Sequence, residues 1–538
     1  MTNSRKSSAI IAGFIILAAS FLVLLYYQYR LRSFTWDDSY ITYRHALNMA
    51  RGLGPVYNPG ERADGITNYL LAWILSFGIR IHIDPLVFSK WLGIVSAWGI
   101  LIFAWFYARR RLKIAPIFAG IATLLLATNG MFAVESAGGL ETALFTLVVF
   151  WIMWEITSAP GKELSTTKLG LAGIASGIAM LIRPDAAFFI AVVILLLIDR
   201  KNLKGSAKRI GIYLLPVLVI FLPYFIKHWI MFGYPFPNSY YAQEMASINL
   251  VTRGFDRLFT NLGDIEGSLI IILIGFGFYI SSKAKRYYSA RIKDVKYGLA
   301  LPAWFIVARC LFIVLSGGAW MGWGRFLVPI LPQVYVILLL YLEIIYTNAA
   351  SNQRRFMLDK AIVVLFSLFI LWWNYHAISQ NLFREANPSL HLDRFHIPLG
   401  LALKDTLAPT DSICFGDAGA LPYYADVVNI DPAGLCDRHI AHLTGEFNIK
   451  TDPEYILNRR PVLIILNSID PYPQFNPQSP IDKAIVSYPR LQKEYEFIFA
   501  FEAWSNYNLW LFARKDRASE LKTSLMNDPH MSPIFKPN

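Results

Sequence analysis

Cysteine is scarce in this chain: Cys310, Cys414 and Cys436 are the only three in 538 residues. Their separation gives none of the close pairing that a structural zinc site needs. The sequence also contains no His-Glu-x-x-His pair, no phosphate-binding glycine–lysine loop and no Rossmann glycine fingerprint. Zinc-protease and nucleotide-dependent chemistry therefore lack support. No internal repeat or low-complexity linker is visible. Without an inverted repeat, a secondary transporter loses its usual mark in the sequence. The first apolar block, 9–27, follows Arg5 and Lys6 but has no small-x-small cleavage site behind it. It is also too long for a signal-peptide core, and it reads as a retained helix.

Apolar residues are abundant: 55% of the chain is hydrophobic and 15% aromatic, above the usual share in soluble domains. They gather in blocks such as 9–27, 87–108 and 326–346, each close to the roughly 20 residues that cross a bilayer as a helix. The net charge of +13 is not a nucleic-acid footprint, because the cations sit in short loops between these blocks. Clusters occur at Arg109-Arg110-Arg111, around Arg200-Lys201 and Lys208-Arg209, between Lys283 and Lys296, and at Arg354-Arg355 with Lys360. The positive-inside rule assigns all of them to the cytoplasm if the N-terminus is cytoplasmic. One condition is that 68–83, short and bearing Arg80, is an interfacial or re-entrant helix rather than a span.

The expected spans are 9–28, 86–108, 115–134, 140–157, 167–182, 186–199, 210–231, 266–282, 297–316, 325–347 and 360–376, about eleven in all. The fold class is thus a polytopic α-helical membrane protein, with a membrane domain over 1–376. From 377 to 538 the long apolar blocks give way to short apolar runs bounded by Gly, Pro, Asn and Asp. Runs at 412–415, 427–430, 461–466, 495–501 and 508–513 read as strands of a C-terminal mixed α/β domain. The charge pattern makes this domain extracytoplasmic, on a multi-pass membrane protein. Cys414 and Cys436 would pair only in an oxidising compartment, and the balance is against that bond.

Mixed polar residues concentrate on the expected outer side. Asp37 and Asp38 follow the first span directly, with Arg44 and His45 one to two turns on. An acid pair at a bilayer surface is costly unless it faces water, a cation or a reacting group. One of the two suits the N-cap of a helix ending at Ala50, with Gly52 and Gly54 beyond it. Two exceed what a cap needs, so at least one is a catalytic candidate. Glu135 and Glu141 flank the second outer turn, and Arg183-Pro184-Asp185 forms the third. That third stretch is either a turn or a phosphate clamp at a cavity lip. Tyr240, Tyr241 and Gln243 suit sugar hydroxyls or an aromatic belt, and Arg325 between Gly324 and Phe326 suits a ligand or an interfacial anchor.

Together these stretches resemble the GT-C membrane glycosyltransferases, and more narrowly the enzymes that add terminal arabinofuranose to actinobacterial cell-wall arabinan. The likeness rests on Asp37-Asp38-Ser39-Tyr40-Ile41-Thr42, Gly54-Pro55-Val56-Tyr57-Asn58-Pro59, Glu135-Ser136-Ala137-Gly138-Gly139-Leu140-Glu141 and Arg183-Pro184-Asp185-Ala186. It continues through Pro235-Phe236-Pro237-Asn238, Gly324-Arg325-Phe326, Gly416-Asp417-Ala418-Gly419 and Ile430-Asp431-Pro432-Ala433. Before Arg325, the stretch Gly317-Gly318-Ala319-Trp320 departs from the bulkier polar motif of that family.

The resemblance implies transfer of a sugar, a pentofuranose, from a polyprenyl-phosphate donor to a glycan, lipid or pilin-type acceptor at the outer membrane face. It makes Asp37 the general base and Asp38 its partner or alternative. Arg183, Arg325 and Arg44 would bind the donor phosphate, and Tyr240, Tyr241 and Gln243 the sugar. Glu141, Glu135 and His45 would position the acceptor or a divalent cation. The partners implied are the lipid-linked donor, the acceptor and membrane lipid, without nucleic acid. A transporter or flippase of lipid-linked sugars is the alternative. It calls for ionisable residues at mid-membrane, whereas these acids gather at one face. A surface-binding protein would leave the acid pair and the outer arginines unexplained.

Overall fold

The computed structural model describes residues 3–157, 164–243, 248–261, 296–318, 324–348, 353–377, 392–446, 449–504 and 506–531. Contacts divide the chain into two compact units. One comprises Met1–Ser33, Lys90–Tyr224 and Ala246–Ala386, and the other Phe34–Ser89, Phe225–Met245 and Asn387–Asn538.

The first unit is helical. Among the described residues, five helices are long and apolar enough to cross a membrane: Ser7–Arg30, Pro85–Arg111, Leu203–Phe232, Gly298–Leu315 and Arg325–Ile344. A sixth arises if Pro116–Ala127 and Gly130–Ala137, bent by 63° at their junction, count as one. The bend has a local cause: Asn129 Oδ1 accepts from the Phe132 N–H at 2.9 Å and starts a new helix there. Thr142–Ile156, Thr166–Ile182, Ala186–Leu197 and Val363–His376 are apolar but shorter. The expected count of eleven is therefore not reached by length, and the expected span 266–282 lies outside the described residues. Close helix packing uses small residues, as lipid-embedded helices require. A Cβ on Gly13 would stand 2.6 Å from the Pro116 carbonyl oxygen. Ser20 and Thr123 join the same two helices at 3.1 Å.

The second unit holds a five-stranded mixed sheet in the order β2-β1-β3-β5-β4. The strands are β1 (Ser412–Phe415), β2 (Val428–Ile430), β3 (Leu463–Ser468), β4 (Tyr495–Trp504) and β5 (Tyr507–Arg514). β1 pairs with β2 and β3 in parallel, whereas β5 runs antiparallel to both β3 and β4. The period of two sorts the side chains to opposite faces. Ile413, Phe415, Leu463, Ile465 and Leu511 enter one core, while Cys414, Ile464 and Leu466 enter the other. All three cysteines are free thiols.

This unit is larger than the segment 377–538 read from the sequence, because the first polar loop and the stretch around Asn238 belong to it. Polar side chains make the connection. Asn58 pairs with the backbone of Asn429 in β2, receiving its N–H at 3.1 Å and donating to its carbonyl at 2.9 Å. Asp64 accepts from the Asn238 N–H at 3.0 Å and lies 2.8 Å from His228 Nε2. The short helix Tyr69–Arg80 also lies here; its twelve residues rise about 18 Å, short of the hydrocarbon core.

Candidate active site

The charged residues of the first unit form a compact network. Glu141 stands at the N-cap of helix Thr142–Ile156, Arg183 ends helix Thr166–Ile182, and Asp185 precedes helix Ala186–Leu197. Glu141 Oε1 accepts from Arg183 at 2.9 Å and from Arg325 at 2.6 Å. Arg183 Nε also donates to Asp185 at 3.0 Å. Arg325 opens a 3₁₀ turn after Gly324, whose φ of +61° favours glycine. Its Nε lies 3.8 Å from Glu135 Oε2.

Sequence reasoning missed a further member, Arg309. It lies within helix Lys296–Leu315, is fully buried, and donates to Asp185 and to the Phe326 carbonyl at 2.6 Å. The available signal was a lone arginine inside an apolar span. Three arginines thus face three carboxylates, and a buried charge tolerates its setting only in such company. Arg325, with its side chain 13% exposed, is the most open of the three; Arg183 is at 7% and Arg309 at 1%.

The acid pair lies in the second unit, in the first turn of helix Asp37–Ala50. The capping expectation needs correction. The N-cap is Trp36, and no side chain caps this helix. Asp37 instead accepts from the Ala420 N–H at 2.8 Å, at the start of helix Ala420–Ala425. Gly419 makes room for it: a Cβ there would overlap the Asp37 carboxylate. Tyr40 and Tyr43 pack on Tyr424 and Tyr423, with centroids 5.6 and 6.2 Å apart, and fix the two helices together. The Asp37 side chain keeps 22% of its surface exposed, and Asp38 beside it is half-buried.

Arg44 and His45 do not have the character of ligand-binding groups. Arg44 is buried, lies over the Tyr57 ring, and donates to the carbonyls of Tyr57, Pro422 and Val427 and to Asn58. With its donors spent on backbone and Asn58, it holds the loop and has no fork to offer a phosphate. His45 is fully buried, with Nδ1 at 2.8 Å from the Ile41 carbonyl and Nε2 accepting from the Gly65 N–H. Burial pushes its imidazole down to about 4, so it stays neutral.

The tyrosines expected to bind sugar lie on or beside the short helix Asn238–Ala242. Tyr240 is exposed, Tyr241 stacks on His442 at 4.6 Å, and Gln243 ends the helix. Nearby, an open cavity of about 750 Å³ is lined by Glu61, Tyr234, Asp437, Arg438, Tyr455 and Arg459, among others. Arg459 bridges Glu61 and Asp437 across it.

No group of three or more His, Cys, Asp or Glu is arranged to hold a metal ion among the described residues. Glu141 and Asp185 of the first unit are engaged by arginines, and Glu135 is buried with Oε2 3.8 Å from Arg325 Nε. Two carboxylates tied to three guanidiniums do not fit a divalent cation, which needs uncommitted oxygens.

Residues 384–520 match a family model described as a domain of unknown function (DUF8728). No curated protein matches the chain. Among solved structures, the chain is similar to ArnT from Cupriavidus metallidurans bound to undecaprenyl phosphate. That match has 13% identity and a TM-score of 0.58, covering 93% of this chain and 97% of the other. It is also similar to the archaeal oligosaccharyltransferase AglB from Archaeoglobus fulgidus in complex with an inhibitory peptide and a dolichol-phosphate. Here identity is 13%, the TM-score 0.53, and coverage 95% and 77%. At such identities the likeness shows the fold alone: the chain shares the polytopic helical architecture of these two structures and carries a C-terminal mixed-sheet domain.

Proposed function

We propose that the chain is a glycosyltransferase that moves a sugar from a polyprenyl-phosphate donor to an acceptor hydroxyl on the outer face of the bacterial cytoplasmic membrane. The observation that carries this reading is Asp37. It is a carboxylate oriented by a backbone N–H yet still part-exposed, in a chain whose fold resembles one crystallised with undecaprenyl phosphate. In the reaction, the acceptor hydroxyl gives its proton to Asp37 as its oxygen bonds the anomeric carbon. The bond from that carbon to the phosphate oxygen breaks, and the polyprenyl phosphate leaves with the electron pair. Arg325 is the phosphate contact we favour, being the most open arginine of its network. Arg183 orients Glu141 and through it Arg325.

We further propose a pentofuranose as the donor sugar, on the resemblance of the motifs around Asp37 and Glu141. A surface glycan, lipid or pilin-type protein is the acceptor. The open cavity beside Glu61 and Arg459 suits it, since paired carboxylates and guanidiniums beside tyrosine rings match the hydroxyls and apolar faces of a saccharide. The loop charges support an extracytoplasmic 377–538. The test is to incubate the purified chain with a panel of polyprenyl-phosphate sugars and envelope acceptors. Sugar transfer supports the reading. Movement of donor across liposomes without transfer would replace it with a flippase.

A further inference from the structure

The second unit contains a buried polar chain that the reaction as proposed leaves without a role. His396 ends the π-helical turn Leu392–His396 and is fully buried. Its Nε2 lies 2.9 Å from the Tyr507 hydroxyl at the start of β5. Tyr507 in turn donates to Asp417, in the loop after β1. A tyrosine hydroxyl has one proton to give. With that proton on Asp417, Tyr507 accepts from His396, and Nε2 is the protonated nitrogen. The opposite nitrogen, Nδ1, then faces Asp37, with 3.7 Å between it and Oδ1.

We propose that Asp417, Tyr507 and His396 are positioning residues for Asp37: they fix the imidazole so that its Nδ1, once protonated, holds the Asp37 carboxylate charged and in place to take the acceptor proton. The proposal rests on the reading of Asp37 as the base. An opposite charge within about 4–6 Å favours the ionised carboxylate. The surroundings suit the arrangement. Burial raises the Tyr507 hydroxyl well above its ordinary value, so it keeps the proton it donates. The groups that face His396 are Asp37 from helix Asp37–Ala50, the Phe415 ring of β1 edge-on at 5.3 Å, Asp417 and Tyr507. Burial raises the Asp417 carboxyl, His396 opposes that rise, and Asp37 adds to it. Asp482 is a further carboxylate whose charge acts on Asp417 and Tyr507.

The test uses the full chain in detergent or nanodiscs and two readouts. The first needs no activity: thermal midpoints of His396→Gln, Asp37→Asn and the double variant at pH 6. The charge pair predicts non-additive effects, with the double variant losing less than the sum. The second is the pH profile of sugar transfer for His396→Gln and Tyr507→Phe. The acid limb should move up by about 1 pH unit as Asp37 loses its counter-charge, with kcat down ~10-fold and the donor KM nearly constant. A merely structural role predicts a uniform loss at every pH, and that result overturns the proposal. An additive cycle overturns it whatever the activity. A non-additive cycle in a wild-type chain that transfers no sugar sinks the transfer reading and leaves the Asp37–His396 pair standing.

Discussion

Arg325 donates to Glu141 at 2.6 Å, on the same carboxylate oxygen that Arg183 reaches at 2.9 Å. One acid thus sets the position of two cations, and in the proposed reaction the donor phosphate competes with it for the more open one. Arg325→Ala should raise the donor KM ~10-fold or more while the acceptor KM stays within about two-fold. Arg183→Ala should also weaken donor use more than acceptor use. Steady-state kinetics with each substrate varied in turn checks both, and equal effects on donor and acceptor would mark a packing role.

Asp185 and Arg309 form a buried pair, with side chains 5% and 1% exposed. Removing one partner strands the other charge. Asp185→Ala should therefore cost about 3–5 kcal/mol, and the double replacement Asp185→Leu with Arg309→Met should recover most of it. Unfolding midpoints in one detergent test this. A double variant as unstable as the sum of the singles would show that the pair does not act as a unit.

Gly419 leaves room for the Asp37 carboxylate, so a methyl group there displaces it from the Ala420 N–H. Gly419→Ala should lower kcat up to ~100-fold, the scale of a misplaced catalytic group, and it should also lower the thermal midpoint, because the same methyl overlaps the Asp37 backbone carbonyl oxygen. Full activity in this variant would separate the Asp37 geometry from the chemistry.

Asp431 is buried and accepts from the Ala433 and Cys436 N–H groups at 2.9 and 2.7 Å. Burial nevertheless pushes its carboxyl up to about 7. The folded state therefore holds this proton more tightly than the unfolded chain. Its contribution to stability is complete below about pH 4 and is lost as pH rises through about 7. Asp437, also raised by burial, acts in the same direction. Asp431→Asn should flatten the fall in midpoint between about pH 4 and 7, a change on the order of a few kcal/mol. An unchanged slope would contradict the assignment.

What the sequence conveyed depended on the range of the interactions. The five strands were readable because alternating apolar residues between turn formers are a local pattern, and Ile413, Cys414 and Phe415 alternate between the two cores. The 63° break near Asn129 was hidden inside one apolar run, since only a cap residue marks it. Arg44 resembled a phosphate ligand because a cation near an acid pair looks the same in sequence whether it is open or buried. Its actual partners, Pro422 and Val427, are 378 and 383 residues away. Asp37 or Asp38 was expected to cap its own helix, and Asp37 instead serves one 383 residues on. His396 and Tyr507, 111 residues apart, gave no local signal at all. Asp417 at least stood within a motif of the resembled family.

The central claim is that Asp37 accepts the proton of the acceptor hydroxyl. The most direct measurement is single-turnover transfer from a polyprenyl-phosphate sugar by Asp37→Asn, beside wild type and Asp38→Asn at matched folded fraction. An amide retains the hydrogen bond from the Ala420 N–H but has no basic oxygen to receive a proton. The account predicts a folded Asp37→Asn protein whose transfer falls by ~10²–10⁴-fold, with Asp38→Asn less affected. Near-normal turnover in Asp37→Asn would contradict it.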